Sequence, residues 1–302
     1  MDLITGRRVV ITGATSGIGH ATAMELARRG AELTIVCRNP DRGKTTTAEI
    51  EDEVSDAAVD VLVADLSELD QVRDVATEIN ARYRAIDVLI NNAGVQNLWP
   101  RITSEGFDHM LAANYLGPFL LTNLVLDRMR AAPAGRVVVV ASDAHRIAGR
   151  PDPESFEHLG EYSGGRQAVR AYAKTKLLDL LFALELARRL EGSAVTANAL
   201  CPGFVATNLV EGGPAFGGLD RILSHTFLIR TPEQGARIVV RLATDPALAD
   251  VSGRYFPSTP GSRFLPRVRA ARDAELQRRL WDRTAELVGL RLTLPPDSGP
   301  PL

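Results

Sequence analysis

The 302-residue sequence has little cysteine, little net charge and no long apolar run. Its two cysteines, Cys37 and Cys201, each end an apolar stretch, so we expect reduced core thiols and no disulfide framework. Thirty-five basic and 37 acidic residues give a formal charge of −2 with the basic residues scattered, which argues against a nucleic-acid partner. The five histidines show no metal-ligand spacing, and we expect no metal.

The sequence predicts neither a membrane span nor a leader peptide. No stretch reaches the roughly 18–20 uninterrupted apolar residues that a span requires. The segment from Met1 to Arg8 has no apolar h-region and runs almost directly into a predicted strand. We therefore expect a cytoplasmic protein with no membrane partner.

Short β-branched runs alternate with helical patterns along the chain, which is typical of a parallel sheet covered by helices. The clearest buried strand is Arg136–Ala141, and the clearest helix is Gln167–Leu190. A long helix is predicted over Ser104–Met129, despite the Gly-Pro pair inside it, and a last helix over Ala270–Val288. The pattern predicts an α/β fold with a doubly wound parallel sheet (Rossmann-type).

The alternation continues without a break that would mark a second domain. We predict one domain over residues 1–290 and a loose, proline-rich tail over residues 291–302. Two segments rich in glycine, proline or charge resist regular assignment, near residues 143–166 and 209–230. Long loops in an α/β domain are often functional, so we expect these two to shape a substrate pocket.

A glycine-rich turn follows the first predicted strand and reads Gly13-Ala14-Thr15-Ser16-Gly17-Ile18-Gly19. Glycines let the backbone approach a pyrophosphate, and the amides at a helix N-terminus bind its negative charge. The spacing is GxxxGxG, and a plain strand-to-helix turn uses glycine too. On the first strand of an alternating chain, the turn predicts a bound dinucleotide that contacts Gly13 and residues 15–19.

The end of the second predicted strand indicates which dinucleotide is bound. An enzyme that prefers NAD typically places Asp or Glu there for the ribose hydroxyls, but this chain reads Val36-Cys37-Arg38-Asn39. A guanidinium suits a 2′-phosphate by charge and by bidentate geometry. We therefore predict NADP, bound through Arg38 and Asn39, although an arginine here also suits an exposed loop.

Two more strand ends supply candidate cofactor contacts. Asp65, followed by Leu66, ends the third predicted strand, where it is suited to bind the adenine amino group or to cap the helix beginning at Leu66. The fourth strand ends at Asn91, and Asn92, Ala93 and Gly94 follow. Small residues there would let the cofactor lie against the sheet edge, though a plain turn uses Asn and Gly too.

Tyr172 and Lys176 lie four residues apart on one face of a predicted helix. A free tyrosine has a pKa of about 10 and is a poor base near neutrality, but a nearby ammonium favours the phenolate and lowers that pKa. The two residues are therefore candidates for an acid/base pair. Tyr and Lys also occur at this spacing by chance.

Two polar residues accompany this pair. Ser142 ends the buried strand, at the sheet edge where ligands bind in such folds, and it is placed to hydrogen-bond a substrate carbonyl or to cap a turn. Asn114 is an amide in an otherwise apolar helix. A buried amide needs partners, so Asn114 is either structural or holds a water in a proton path.

In order along the chain, these motifs resemble the short-chain dehydrogenase/reductase family over approximately residues 5–260. The matching parts are Thr12–Gly19, Asn91–Gly94, Asn114, Ser142, Tyr172–Lys176 and Cys201–Thr207. Other stretches are similar to the retinol-dehydrogenase-like reductases of that family, namely Val36–Asn39, Asn114–Thr122, Ser142–His145, Thr231–Ala236 and Ser252–Phe256.

The resemblance implies an oxidoreductase that interconverts a carbonyl and an alcohol with NADP. It implies that Tyr172 transfers the proton. It also implies that Lys176 lowers the pKa of the tyrosine and binds the nicotinamide ribose. Ser142 would orient the carbonyl, and Asn114 would hold a water behind the lysine. It places four residues beside the nicotinamide, namely Pro202, Gly203, Val205 and Thr207. The family also allows a homo-oligomer.

One departure from the family pattern bears on the substrate, and two alternative functions bear on the reaction. The segment between Ser142 and Tyr172 is longer than in retinol-type relatives, which puts their substrate range in doubt. Apolar residues in the two irregular segments suggest an apolar small molecule. The alternatives are an epimerase or dehydratase that uses the cofactor transiently, and a non-catalytic cofactor-binding protein; the intact Ser–Tyr–Lys set argues against the last.

Overall fold

The computed structural model describes residues 4–203, 210–211, 230–259 and 261–290, with the backbone alone at 210, 211 and 263. The described strands are β1 (Arg8–Thr12), β2 (Glu32–Cys37), β3 (Val59–Val63), β4 (Val88–Asn91), β5 (Gln96–Asn97), β6 (Gly135–Val140), β7 (Val195–Cys201), β8 (Val210–Glu211) and β9 (Tyr255–Pro257). The described helices are α1 (Gly17–Arg28), α2 (Pro40–Glu53), α3 (Leu69–Arg82), α4 (His109–Leu111), α5 (Gly117–Arg130), α6 (Gly165–Arg189), α7 (Pro232–Thr244) and α8 (Ala274–Leu287).

Seven of the described strands form one parallel sheet in the order β3-β2-β1-β4-β6-β7-β9. The chain runs outward from β1 to β3, then returns to place β4 beside β1. Strand order therefore reverses between β1 and β4, and in such sheets ligands bind outside the carboxyl ends of the strands at this point. The doubly wound sheet predicted from the sequence is confirmed.

Helices cover both faces of the sheet, so its strands are buried on both sides. The strand β6 has all six residues buried, as its run of valines predicts. Helices α3, α5, α6 and α8 pack on one face, and α1, α2 and α7 on the other. Seventeen of the twenty-five residues of α6 are buried. No helix in the described part of the chain is long and apolar enough to cross a membrane.

The helix predicted from Ser104 begins later than expected, at His109. The carboxylate of Asp108 accepts hydrogen bonds from the backbone amides of Met110 at 2.8 Å and Leu111 at 3.3 Å, which caps the helix there. Ile102 forms an antiparallel bridge with Asp108, so the residues before the cap are extended.

A π-helical turn over Ala112–Leu116 separates α4 from α5. Pro118 has no N–H to give the carbonyl of Asn114, and the amide of Gly117 bonds to the carbonyl of Ala112 five residues back. A Cβ on Gly117 would lie 2.1 Å from the carbonyl oxygen of Leu66, so only glycine lets the helix pass this close. The Gly-Pro pair thus widens one turn without ending the helix.

The predicted irregular segment 143–166 forms a 3₁₀ turn over Asp143–Ile147 and then loops until α6 begins at Gly165. The last helix begins at Ala274, later than predicted from Ala270, because Asp273 accepts from the amide of Leu276 at 3.0 Å and caps it. Ion pairs from α8 hold the loop, with Arg283 and Glu157 2.9 Å apart. Most of residues 209–230 and all of the tail 291–302 lie outside the described residues.

Candidate active site

The side chains predicted to do chemistry meet at the carboxyl edge of the sheet. Ser142 follows β6, Tyr172 and Lys176 project from α6, and Asn114 comes from the π-helical turn. All of them except Ser142 are buried. The fold brings together four residues that are as much as 62 positions apart in sequence, from 114 to 176.

The side chain of Ser142 lies beside the hydroxyl of Tyr172, close enough to act on its ionisation. Ser142 also caps the 3₁₀ turn that follows it, accepting from the backbone amide of Ala144 at 3.2 Å. Both sequence-based roles of Ser142, turn cap and hydroxyl at the site, are therefore compatible. The arrangement brings the serine and tyrosine side chains close together at the edge of the sheet.

Lys176 points into the protein and not into solvent. Its Nζ donates hydrogen bonds to the carbonyl of Val140, at 2.9 Å, and to the carboxylate of Asp179, at 2.8 Å. It also lies 5.8 Å from the centroid of the Tyr172 ring. The ammonium is therefore close enough to favour the charged form of the tyrosine.

Burial dominates the electrostatics of the site. It raises the pKa of Tyr172 above its ordinary value, and the Lys176 ammonium offsets only part of this rise. Lys176 therefore acts on the tyrosine in the predicted direction, but burial outweighs it and leaves the pKa of Tyr172 raised. Burial opposes the charge of Lys176 as well, yet the carboxylate of Asp179 raises the pKa of Lys176, so the amine stays protonated.

Asn114 is held by three hydrogen bonds. Its Oδ1 accepts from the amide of Val95 at 2.7 Å, and its Nδ2 donates to the carbonyl of Val95 at 2.9 Å and to Oγ1 of Thr175 at 3.0 Å. The amide thereby joins the segment after β4 to the helix that carries Tyr172. A Cβ on Gly94 would lie 3.6 Å from Oδ1 of Asn114 and 3.5 Å from Nζ of Lys176, so both side chains face the space at Gly94.

Sequence reasoning missed Asp143, which joins the segment that follows Ser142 to β9 and to the residues after it. Its carboxylate accepts from the hydroxyls of Tyr255 at 2.9 Å and Ser262 at 2.8 Å and pairs with Arg146 at 3.3 Å. Burial opposes ionisation, but these hydrogen bonds lower the pKa of Asp143 below its ordinary value. Tyr255 and Ser262 lie more than a hundred residues away in sequence, so no local pattern marks them.

The glycine-rich turn requires glycine at three positions. Gly13 and Gly17 have φ of 69° and 55°, in the left-handed region that favours glycine. A Cβ on Gly19 would lie 2.3 Å from the carbonyl oxygen of Gly13. The first turn of α1 holds no acidic residue, and Ser16 at its N-cap makes no side-chain hydrogen bond to it. These amides suit an anionic group, so the residues present fit a dinucleotide.

Thr12 and Asn92 lock this turn to the end of β4. The Oγ1 of Thr12 accepts from the amides of Asn92 at 3.1 Å and Ala93 at 3.0 Å. The Asn92 side chain donates to the carbonyls of Thr12 at 2.9 Å and Gly13 at 3.1 Å. Asn92 and Ala93, predicted as cofactor contacts, therefore hydrogen-bond to the start of the glycine-rich turn from the end of β4.

Arg38 lies exposed directly after β2, as predicted. Asn39 has a structural task, because its side chain accepts from the amides of Asp41 at 2.9 Å and Arg42 at 3.0 Å and caps α2. Sequence reasoning missed Arg42, whose guanidinium donates to the carbonyl of Thr15 at 3.1 Å. Two exposed guanidinium groups thus stand near the end of β2.

Asp65 accepts from the amide of Ser67 at 2.9 Å and from its hydroxyl at 2.7 Å, and so closes a turn. It does not cap a helix at Leu66, since α3 begins at Leu69; Leu66 itself is buried. After β7, Pro202 is buried, and Gly203 has a φ of 92° and donates to the sulfur of Cys201 at 3.4 Å. Val205 and Thr207 lie outside the described residues.

No group of three or more His, Cys, Asp or Glu side chains in the described part of the chain could hold a metal ion. Both cysteines, Cys37 and Cys201, are described, buried and free. Burial raises the pKa of each thiol. A buried, protonated thiol is a poor nucleophile, so neither competes with Tyr172 as a reactive group.

Comparison with known proteins identifies the family. The family model described as short chain dehydrogenase matches residues 7–214, and the chain belongs to this family of oxidoreductases, which bind a nicotinamide cofactor. Human retinol dehydrogenase 13 is 38% identical over 291 residues, covering 95% of this chain and 86% of its own. Human dehydrogenase/reductase SDR family member 13 is 40% identical, covering 96% and 75%. The resemblance to the retinol-dehydrogenase-like group is therefore confirmed.

Solved structures agree with the fold. A protein from Mycobacterium paratuberculosis superposes with a TM-score of 0.74 at 32% identity, covering 96% of each chain. Levodione reductase superposes with a TM-score of 0.68 at 26% identity, covering 87% of this chain and 100% of its own.

Proposed function

We propose that this protein is an NADP(H)-dependent oxidoreductase that interconverts a carbonyl and an alcohol on an apolar small molecule by hydride transfer. The observation that carries the proposal is the buried Lys176 ammonium, 5.8 Å from the Tyr172 ring, with Ser142 beside the tyrosine at the carboxyl edge of the sheet. A serine and a tyrosine hydroxyl beside a buried ammonium are able to bind one carbonyl oxygen and to deliver a proton to it.

The proposed reaction gives each of these side chains one task. In the reduction direction, Tyr172 donates its hydroxyl proton to the substrate oxygen, while Ser142 hydrogen-bonds the same oxygen. A nicotinamide held at the sheet edge would supply the hydride in this direction and take it up in the other. In the oxidation direction, the alcohol proton moves to Tyr172, and the Lys176 ammonium stabilises the phenolate charge.

The remaining residues would hold the cofactor. The amides of the glycine-rich turn suit its pyrophosphate, and Arg38, helped by Arg42, suits a 2′-phosphate. Lys176 and Asn114 face the space at Gly94, which suits a ribose hydroxyl or a water. The other proposed contacts, from adenine to nicotinamide, are Asn39, Asp65, Leu66, Asn92, Ala93, Pro202, Gly203, Val205 and Thr207.

An apolar substrate is supported by the names of the relatives. Several relatives are named retinol dehydrogenase, after an apolar alcohol. We propose a substrate of this character, an apolar aldehyde, ketone or alcohol.

Cofactor turnover across a panel of hydrophobic aldehydes, ketones and alcohols, with retinal and retinol included, tests the proposal. We expect NADPH oxidation with a carbonyl, or NADP reduction with an alcohol, and loss of both in Tyr172→Phe. An epimerase or dehydratase would convert substrate without net change in cofactor. Tight NADP(H) binding with no turnover of any compound would favour the non-catalytic alternative.

A further inference from the structure

Asp179 lies one turn after Lys176 on α6 and is as deeply buried as the lysine. The side chains of Lys176 and Asp179 are 4% and 3% exposed, and their Nζ and Oδ2 atoms are 2.8 Å apart. The carbonyl of Val140 is the second acceptor of the ammonium, at 2.9 Å. The charge of Lys176 is therefore compensated inside the protein and not by solvent.

Stability alone gives a weak reason for this pair. Removing two charges from water costs several kcal/mol per ion, and apolar side chains of similar size often stabilise a fold as well or better. The pair also lies beside Tyr172 and not in a remote part of the core, since the same ammonium is 5.8 Å from the tyrosine ring. Its place in the molecule thus points to the chemistry of the site.

We propose that Asp179 is a positioning residue, whose buried carboxylate holds the Lys176 ammonium against the end of β6 and balances its charge beside Tyr172. The proposal rests on the proposed function, because it gives Asp179 a task only if Tyr172 and Lys176 handle the proton. No motif that identifies the family includes this residue.

The electrostatics of the surrounding groups agree with this geometry. Asp179 faces Tyr172 and Lys176 from its own helix and Tyr115 from the π-helical turn, and Cys201 of β7 acts on the same lysine and tyrosine. Burial and the Asp179 carboxylate both raise the pKa of Tyr172, whereas Lys176 lowers it. Burial also raises the pKa of Asp179 to about 6, so the carboxylate is ionised at neutral pH.

Asp179→Asn tests the proposal because it keeps the size and one acceptor oxygen but removes the charge. The pKa of Tyr172 can be measured in the cofactor-free protein by the ultraviolet absorbance of tyrosinate, as the difference between each protein and its Tyr172→Phe form. We expect Asp179→Asn to lower the pKa of Tyr172 by about one unit or more, because the ammonium is then no longer balanced. An unchanged tyrosine pKa would overturn the proposal.

Glu185→Gln is the matched control. Glu185 is a buried acid of the same helix, 7% exposed, and it pairs with Arg188 and Arg189 away from the site. Its replacement should leave the pKa of Tyr172 unchanged. An equal shift in this control would show a general effect of charge on α6 and would also overturn the proposal.

Activity adds a readout that separates this proposal from the proposed function. The acidic limb of the pH profile for alcohol oxidation should move to lower pH in Asp179→Asn, together with the titration. Since the titration needs neither cofactor nor substrate, a titration shift without a profile shift would contradict the catalytic role of Tyr172, while the charge balance between Asp179 and Lys176 would stand.

Unfolding in urea covers the case in which Asp179→Asn does not fold. The double variant of Asp179→Asn with Lys176→Met leaves no unpaired charge, so it should be more stable than either single variant. If Asp179→Asn alone is unfolded, the double variant should recover folding. A double variant no more stable than the singles would show that the two residues do not act as a pair, and would overturn the proposal.

Discussion

The guanidinium of Arg42 donates a hydrogen bond to the carbonyl oxygen of Thr15, 3.1 Å away, and so joins the start of α2 to the glycine-rich turn. This contact places a second positive charge close to Arg38. A phosphate on the adenosine ribose would lie between the turn and the end of β2, so both arginines would be able to contact it.

We therefore expect Arg42→Ala and Arg38→Ala each to weaken NADP(H) binding by about 10-fold, since a charge-assisted hydrogen bond is lost. NAD(H) binding should change little, because NAD(H) lacks the phosphate. Quenching or enhancement of fluorescence on titration with each cofactor measures both affinities. Arg130→Ala, an exposed arginine that pairs with Asp127 at the end of α5, is the control. A wild-type protein that binds NAD(H) more tightly would contradict the assignment.

Tyr172→Phe should reduce turnover by about 100-fold or more, because the ring and its packing remain but the proton donor is lost. Folding and NADP(H) binding should persist. Lys176→Ala should damage both turnover and cofactor binding, and the two turnover losses should not add, since the residues act as one unit. Tyr83→Phe, which removes a hydroxyl bonded to Asp60, is the control and should retain activity. Near-normal turnover by Tyr172→Phe would rule out the mechanism.

The contact between Asn114 and Thr175 leads to a stability prediction. Asn114→Ala should lower the free energy of unfolding by about 1–3 kcal/mol, because it leaves the partly buried amide and carbonyl of Val95 without their partner. Thr175→Val keeps the shape of the side chain and removes one acceptor of Asn114 and one donor to the backbone carbonyl of Tyr172. It leaves both bonds to Val95 in place, so it should cost less. Urea denaturation compares the two. An equal cost would show that the bonds to Val95 matter little.

The low pKa of Asp143 predicts how stability depends on pH. Its contribution is present above the pKa of an unfolded Asp, about 3.9, and is lost as pH falls through the lower pKa of the folded protein. Asp143→Asn should therefore be less stable than the wild type near neutrality, by about 1–3 kcal/mol, and this difference should shrink below about pH 4.

Urea unfolding at a series of pH values measures this difference. Asp127→Asn, whose side chain is 92% exposed, is the control and should show almost no difference at any pH. A constant gap between Asp143→Asn and the wild type would mean that the carboxylate contributes through shape and not through charge.

Two glycines of the site make a matched pair. A Cβ on Gly19 would lie 2.3 Å from the carbonyl of Gly13 and 2.4 Å from Nδ2 of Asn92, whereas a Cβ on Gly94 would meet Lys176 only at 3.5 Å. Gly19→Ala should therefore lose about 1–3 kcal/mol of stability by overpacking. Gly94→Ala should fold normally and bind NADP(H) more weakly. Thermal unfolding and cofactor titration test both, and normal binding by Gly94→Ala would contradict the proposed nicotinamide position.

The sheet was predictable because its signals are local. Four consecutive valines mark β6, and the glycine-rich turn marks the junction of β1 and α1. The start of α4 was not predictable, because it depends on the Asp108 carboxylate, which caps the helix after an extended segment. The π-helical turn also leaves no periodicity of its own, since an apolar helix looks the same with one wider turn.

The site was predictable where its residues form motifs, and not where their roles depend on contacts across the sheet. Asp143 finds Tyr255 and Ser262 only after folding. In the sequence, Asp179 is an acid three residues from a lysine, a spacing that is common in exposed ion pairs on helices. Only its burial distinguishes it from those pairs. The raised pKa of Tyr172 was not predictable either. The four-residue spacing shows that an ammonium is near the tyrosine, but not how deeply the tyrosine is buried.

The placement of Tyr172 on a helix with seventeen of twenty-five residues buried has a consequence for inactivation by heat. An active-site loop is able to open while the rest of a protein stays folded, so activity is then lost before the structure. Here the tyrosine cannot leave its place unless α6 separates from the sheet and from α8, which would expose the core. Loss of the proton-transfer geometry should therefore coincide with global unfolding, and amides in the middle of α6 should be among the last to exchange with solvent.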